Sequence, residues 1–377
     1  MAHHTICITG AQSCTLLRTA RIGKVLSAVP CDESAVAQLD PTIHGLADLP
    51  LGKLCDLLHV DTSHPLNMLV PTARSRCWGK GIQSHVLSAS LPDGAFLQLA
   101  SGADEASAIK LPDNVRVLIE SPSLALLQAA CSLQRRVTLK SMTKQAALLR
   151  LLEFADECCG WYIRDPHNPR VGTISYDEPQ KCTRLTEPEK LKSFINSAKG
   201  IDGVAYARLA VRHVIDGTGS PMEAYLHHAF CLPPRLGGLS MSMPLANSQL
   251  QTDDTIRAKL KHKTIRPDLQ WPEQKTLAEY LGDKEHAGRP ARIEDKDRMQ
   301  DYMIAGYKAF PLMFDDIKSA AALGRTAQMI ARELMRKGVH EELYHVRKLL
   351  SDSDFLVLQG TLIATLLPPI TRYDNMV

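Results

Sequence analysis

Short apolar runs separated by Pro, Gly, Asp and Asn mark the stretch from Pro65 to Glu120: Leu66 to Val70, His85 to Leu91, Ala95 to Leu99 and Val115 to Ile119. Runs of that length with turn residues between them predict strands of a small sheet. The pattern then changes. Ser121-Pro122 reads as a cap with Pro in the first turn, and apolar residues recur every three or four positions to Leu133 and again from Ser141 to Tyr162. That period predicts two helices covering one face of the sheet, so residues 1–162 read as an α+β N-terminal domain. Arg164 to Thr183 is rich in Pro, Asp, Asn and Gly without an apolar period. The domain boundary is placed there, with 163–203 as a linker and a bridging helix opened by Thr186-Glu-Pro-Glu189 and closed by Gly200.

A different order follows. Val204 to Ile215 predicts a helix, and Ser220-Pro-Met-Glu opens another that runs to Cys231. Thr264 to Trp271 and Lys275 to Leu281 read as two strands joined by Pro272-Glu-Gln. Ala291 to Ala305 is a helix stopped by Gly306, Tyr307 to Phe310 a short strand, and Asp315 to Lys337 a helix stopped by Gly338. This sequence of helix, strands, helix, strand and helix predicts an α/β core over 204–345, with 346–377 as a tail packing on it. The most apolar stretch, Phe355 to Ile370, is broken by Gln359, Gly360, Pro368 and Pro369. It is shorter than the roughly 20 residues a membrane helix needs, so it reads as core and no membrane partner is expected.

Composition sharpens this picture. A chain of 377 residues is long for one core, which supports two domains. Aromatic residues make up 5% and hydrophobic residues 45%, so the cores are expected to be aliphatic. Lys and Arg total 44 against 41 Asp and Glu, too even a balance for a nucleic-acid binder recognised by bulk charge; any basic surface is local. The ten cysteines include no C-x-x-C pair, and no cationic segment followed by an apolar one opens the chain, so free thiols and a cytoplasmic location are expected. No third spaced glycine follows Gly217-Thr-Gly219, and neither a P-loop nor a Gly-x-Ser-x-Gly elbow occurs, which removes dinucleotide, nucleotide-phosphate and serine-hydrolase templates.

The chemistry gathers on the hairpin. Asp268 lies on its first strand and Glu279 on its second, and neighbouring strands about 4.8 Å apart can bring two such carboxylates to one ion. Mg²⁺ takes hard oxygen ligands, usually one or two carboxylates with water and phosphate oxygens. Glu223, on the preceding helix, supplies a third candidate oxygen. An ion held this way polarises a phosphate and acidifies water, as phosphodiester hydrolysis requires. Arg257, Lys259, Lys261, Lys263 and Arg266 lie in an acid-free run from Ile256 to Arg266, a candidate track for a nucleic-acid backbone. Each residue also has a plainer reading. Glu223 completes a Ser-x-x-Glu capping box, Asp268 and Glu279 can pair with Arg266 and Lys275, His286 is a loop histidine, and Lys284 and the basic run are a solvated face.

Taken together, Ser-Pro-Met-Glu223, Leu-Pro-Pro-Arg-Leu-Gly-Gly238, Arg-Pro-Asp268-Leu-Gln-Trp-Pro-Glu, Ala-Glu279-Tyr-Leu-Gly-Asp-Lys-Glu-His286, Asp-Lys-Asp-Arg-Met299 and Gly306-Tyr resemble the very-short-patch-repair-endonuclease-like proteins of the PD-(D/E)XK nuclease superfamily over about 205–338. More weakly, the N-terminal part resembles abortive-infection antitoxins, on Leu16-Leu-Arg-Thr-Ala-Arg21 and the strand-rich segment up to Glu120. The resemblance implies a restriction-endonuclease-like core and a Mg²⁺- or Mn²⁺-dependent endonuclease acting on DNA in a defence or mobile-element setting. It implies Glu223, Asp268 and Glu279 as acidic site residues and His286 as a general base or phosphate contact, with Lys284 reaching in from the turn. Leu281 departs from the pattern, standing where relatives carry an acid two residues past Glu279. The second expectation is therefore a nuclease-fold protein that does not cut and binds DNA or a protein partner, as an antitoxin-like regulator.

Overall fold

A computed structural model of the chain describes residues 4–33, 35–61, 63–165, 168, 170–172, 183–282, 289–339 and 341–367. The chain divides into two compact units. The first takes the chain up to Cys159 and rejoins it for a segment ending at Val214; the second takes the excursion that begins at Gly160 and the chain from Ile215 onward.

The first unit begins with β1 (His4–Ile8), α1 (Gly10–Ile22), β2 (Leu26–Pro30), α2 (Gly52–Leu57), β3 (Leu66–Val70), β4 (Ile82–Val86), β5 (Phe96–Ser101) and β6 (Val115–Glu120). These build a six-stranded mixed sheet ordered β2-β5-β6-β1-β3-β4, parallel at β1–β6 and β3–β4 and antiparallel elsewhere. The sheet is larger than its sequence pattern predicts, because β1 and β2 carry too few alternating positions to be read alone. The strand expected at His85 to Leu91 lies earlier, at Ile82–Val86, where parallel pairing with β3 fixes it. Helices α3 (Pro122–Thr138), α4 (Lys144–Cys159), α5 (Pro188–Ser197) and α6 (Val204–Ala210) complete the unit. Ser121 caps α3 by accepting a bond from Leu124 N–H, with Pro122 in the first turn, as the sequence implies. α5 and α6, read from sequence as a bridge and the opening of the second domain, instead pack on α3, and α6 also on α4.

Two polar joints hold α1 in place. Thr9, at its N-cap, makes no side-chain capping bond; Glu120 at the end of β6 does this instead, accepting from Gly10 N–H at 3.2 Å and from the Thr9 hydroxyl. Burial pushes the Glu120 carboxyl up to about 7. At the far end Arg18 grips Glu157 of α4 through two bonds of 2.7 Å, the bidentate geometry that gives arginine–carboxylate pairs their directionality.

The second unit contains α7 (Pro221–Cys231), β7 (Leu245–Ala246), α8 (Asp254–Lys259), β8 (Leu269–Trp271), β9 (Thr276–Tyr280), α9 (Arg289–Ile304), β10 (Lys308–Leu312), α10 (Ala320–Arg336), α11 (Glu342–Leu350) and α12 (Ser353–Leu366). The strands form one sheet in chain order: β7, β8 and β9 are antiparallel neighbours and β10 is parallel to β9. A parallel neighbour requires a crossover, which α9 supplies. Gly306, at φ 79°, takes the left-handed conformation that ends the helix region and returns the chain to β10. Leu250, Leu260, Ile265, Leu277, Tyr302, Ala305 and Tyr307 form the buried cluster between α9 and the sheet. The strand expected from Thr264 is shorter and starts at Leu269, because Pro267 has no N–H to give a ladder. The molecule is thus of the mixed α/β class expected. Among the described residues no single helix is long and apolar enough to cross a membrane, and Phe355, Leu362 and Leu366 of the apolar C-terminal stretch are buried, as read from sequence.

Candidate acidic site in the second unit

Ser220 opens α7, its hydroxyl accepting from Glu223 N–H at 3.2 Å. The Glu223 carboxylate turns back over the helix start and accepts from Gly219 N–H at 2.7 Å. The same oxygen also receives the side-chain amide of Asn247. Asn247, just past β7 and at φ 46°, donates its own N–H to the Asp268 carbonyl at 3.2 Å. Asn247 therefore bridges the helix carboxylate to the residue that opens β8. Ser220 is the helix cap; Glu223 reaches the Gly219 N–H one residue before it, where the capping-box reading of the sequence expects the Ser220 N–H, and is also tied into the hairpin.

The two remaining acids each accept a backbone N–H from across the hairpin. Asp268 N–H donates to Glu279 Oε2 at 3.2 Å, and Tyr280 N–H donates to Asp268 Oδ2 at 2.6 Å. Neither acid faces solvent: Asp268 is 8% exposed and Glu279 2%. Nor do they pair with Arg266 or Lys275. The partner of Glu279 is Arg298 on α9, in an ion pair with Oε1, while the Tyr302 hydroxyl donates to Oε2 at 3.1 Å. Arg298 and Tyr302 stand four residues apart and share one helix face.

The two hairpin acids lie in each other's field and in that of Glu223. Burial first, then the charges of Glu279 and Glu223, hold the Asp268 carboxyl well above the usual carboxylate range. Burial likewise raises Glu279, against the pull of Arg298. Carboxylates raised by burial and by one another are groups whose ionised form a cation would favour. Oδ1 of Asp268 accepts no hydrogen bond from a described residue. Among the described residues no three His, Cys, Asp or Glu side chains form a ready metal cage. Mg²⁺ ordinarily needs only one or two carboxylates, with water and phosphate completing its octahedron. Asp268 and Glu279 are hard-oxygen donors of that kind, and both Glu279 oxygens already take partners, Arg298 on Oε1 and the Asp268 N–H and Tyr302 hydroxyl on Oε2.

The basic run divides by role. Arg257 pairs with Asp254 at 3.2 Å within α8, and Lys263 Nζ caps the end of that helix by donating to the carbonyls of Arg257, Ala258 and Leu260 at 3.1, 3.0 and 2.8 Å. Lys261 pairs with Asp297 of α9. Asp301, one turn on, accepts from Lys261 N–H, His262 N–H and His262 Nδ1 at 2.8, 2.9 and 2.8 Å. Lys259 and Arg266 are exposed and take no acidic partner among the described residues. Leu281 extends the β9–β10 pairing, donating to the Leu312 carbonyl at 2.9 Å. Lys284 and His286 lie outside the described residues. Asn247, Arg298, Asp301 and Tyr302 carry no role in the sequence reading; Arg298 falls in the Asp-Lys-Asp-Arg-Met segment, but its spacing from Glu279 becomes meaningful only once α9 crosses the sheet.

Comparison with known proteins adds little to this geometry. No family model and no solved structure matches the chain. It is similar to an uncharacterized protein of Mycobacterium tuberculosis, found in two strains, at 35% identity over 71 residues, covering 19% of this chain. The chain thus spans 26% of the length of the curated relatives it matches.

Proposed function

We propose that the second unit is a metal-dependent endonuclease that hydrolyses phosphodiester bonds in DNA. The observation that carries this reading is the convergence of Glu223, Asp268 and Glu279, remote in sequence, around the start of β8. The order α7, β7, β8, β9, α9, β10 and α10 supports it, with the short α8 inserted between β7 and β8, since the resemblance implies a succession of helix, strands, helix, strand and helix for a PD-(D/E)XK core. Asp268 and Glu279 would hold Mg²⁺ or Mn²⁺, with Glu223 as the third oxygen source. When bound, the ion supplies Lewis-acid polarisation of the phosphate and acidification of water. The chain's own residues prepare the place: Arg298 and Tyr302 fix the Glu279 carboxylate, Asn247 locks Glu223 to the β8 start, and Asp301 holds the segment carrying Lys259 and Arg266, whose cations meet backbone phosphates. Lys284 and His286 keep the roles that the resemblance implies for them.

A second reading has its own support. Leu281 stands where a further acid is expected, and Arg298 already provides Glu279 with a cation. A nuclease-fold protein that binds DNA or a protein partner without cutting accommodates both. Incubation of the purified chain with supercoiled plasmid and Mn²⁺, beside Asp268→Ala, separates the two: nicking lost in the variant supports the enzyme. Nicking by both proteins alike, or by neither while calorimetry detects no Mn²⁺ binding that Asp268→Ala abolishes, overturns it.

A further inference from the structure

Between β3 and β4 the first unit exposes a side chain that packing does not explain. Trp78 is 83% exposed, although its neighbours are fixed on both sides. Cys77 is buried; its N–H donates to Ser84 Oγ at 3.0 Å and its thiol to the Ile43 carbonyl at 3.6 Å. Gly79 passes so close to His44 that a Cβ there would lie 1.5 Å from the His44 carbonyl oxygen. Lys80 then accepts from Leu46 N–H at 3.2 Å, and Thr72 caps the short turn Ala73–Ser75 that leads in. The indole is therefore presented from a loop anchored immediately before and after it.

Cations alternate with it along the chain. Arg74, Arg76 and Lys80 are all exposed, and the Arg76 guanidinium carbon lies 5.8 Å from the centroid of the Trp78 ring. No ion pair to these three is formed among the described residues. From His64 to Pro92 the sequence holds neither Asp nor Glu. His85 on neighbouring β4 senses the resulting field: burial first, then Arg135 and Arg76, hold its imidazole below the ordinary value.

The plainer explanation is one exposed aromatic among solvated charges. It accounts for neither the anchoring of the loop nor the guanidinium beside the ring. A flat apolar ring flanked by cations meets the two demands of an unpaired nucleotide: a π-face for the base and positive charge for the phosphates on either side. Duplex bases are already stacked and hidden, and an acidic peptide would engage the cations while leaving the indole idle. We propose that Arg74, Arg76, Trp78 and Lys80 form a stacking platform for single-stranded nucleic acid, one base resting on Trp78 and its phosphates on the flanking cations. This surface lies in the first unit and requires no cleavage.

Binding of the full chain to fluorescein-labelled dT20 and rU20, and to a duplex of equal length, is measured by anisotropy in EDTA, which keeps metal-dependent cleavage out of the measurement. The expected result is single-strand binding that depends on Trp78, beside duplex binding that does not. Trp78→Ala weakens the former roughly 5- to 150-fold, the range for losing one stacked base, while Trp78→Tyr stays within a few-fold of wild type. Arg76→Ala lowers the slope of log K against log salt by about 0.7. A preference for dT20 or for rU20 identifies the sugar and supports the platform either way. Unchanged single-strand affinity in Trp78→Ala with its thermal melt intact, or a loss in that variant that is as large for duplex as for single strand, overturns it. Nicking in the plasmid assay bears only on the acidic site, so the two readings fail separately.

Discussion

Replacing Arg298 with methionine tests the electrostatic account of the acidic site directly. The substitution keeps an unbranched stem of similar reach and removes the cation paired with Glu279, whose side chain is 2% exposed while that of Arg298 is 32% exposed. Stripping one partner from a buried ion pair costs about 3–5 kcal/mol. Because Arg298 is partly solvated, its screened share is smaller, and we expect a loss of about 2–3 kcal/mol at pH 8. The sign with pH is the sharper test. Glu279 already sits above the ordinary carboxylate value through burial, and without Arg298 it rises further. A carboxyl raised in the folded state gives its full stability below the unfolded pKa of about 4.3 and loses it as pH climbs through the folded value. The deficit of the variant should therefore be small near pH 4.5 and grow towards pH 8. Urea unfolding followed by tryptophan emission in a Trp78→Phe background reads the second unit alone, since the other two tryptophans, Trp161 and Trp271, both belong to it. Mg²⁺ at a hundred times its dissociation constant should return about 2.7 kcal/mol if the acids hold it. A deficit that is the same at every pH would mean that Arg298 contributes packing alone, and the charge argument would be wrong.

Other outcomes follow from named contacts. Glu120, raised by burial to about 7, should make the first unit lose about 3 kcal/mol relative to Glu120→Gln between pH 4.5 and 8; parallel urea curves of the two proteins across that window would contradict it. Lys263→Met removes a cap from three carbonyls of α8 and should lower stability by about 1 kcal/mol, whereas Lys259→Ala and Arg266→Ala should leave the thermal midpoint unchanged and flatten the salt dependence of DNA binding. Gly79→Ala forces a Cβ against the His44 carbonyl oxygen at 1.5 Å, so the loop must open; a destabilisation below 0.5 kcal/mol in chemical denaturation would show that the close passage is not rigid.

The acids on the hairpin were legible in sequence because a tight turn converts chain spacing into proximity: Asp268 and Glu279 bracket Pro272-Glu-Gln, and their pairing needs only a two-stranded register. Arg298 was not legible in that way. Its relation to Glu279 depends on the crossover angle of α9, a property of helix packing on the sheet. One central and one edge strand of the first sheet were hidden for a related reason. β1 is a five-residue run whose strand character comes from pairing with β6 more than a hundred residues later, and β2 ends at Pro30 on the edge of the sheet. α8 escaped notice because its cations show no apolar period; what stabilises it is Asp253 at its start, accepting from Ile256 N–H, and Lys263 at its end. The loop bearing Trp78 has no periodicity to read at all, and its meaning emerges only from exposure.

Helix α9 serves two masters at once. One side presents Arg298 and Tyr302 to the Glu279 carboxylate, while Asp297 and Asp301 clasp the backbone and side chains of Lys261 and His262. A rotation of this cylinder that relaxed its hold on Glu279 would also slacken the cationic segment. The carboxylate pair and the cationic segment are therefore held by one helix, and under the proposed function an occupant that displaced Arg298 would reshape the surface over which a polyanion would lie.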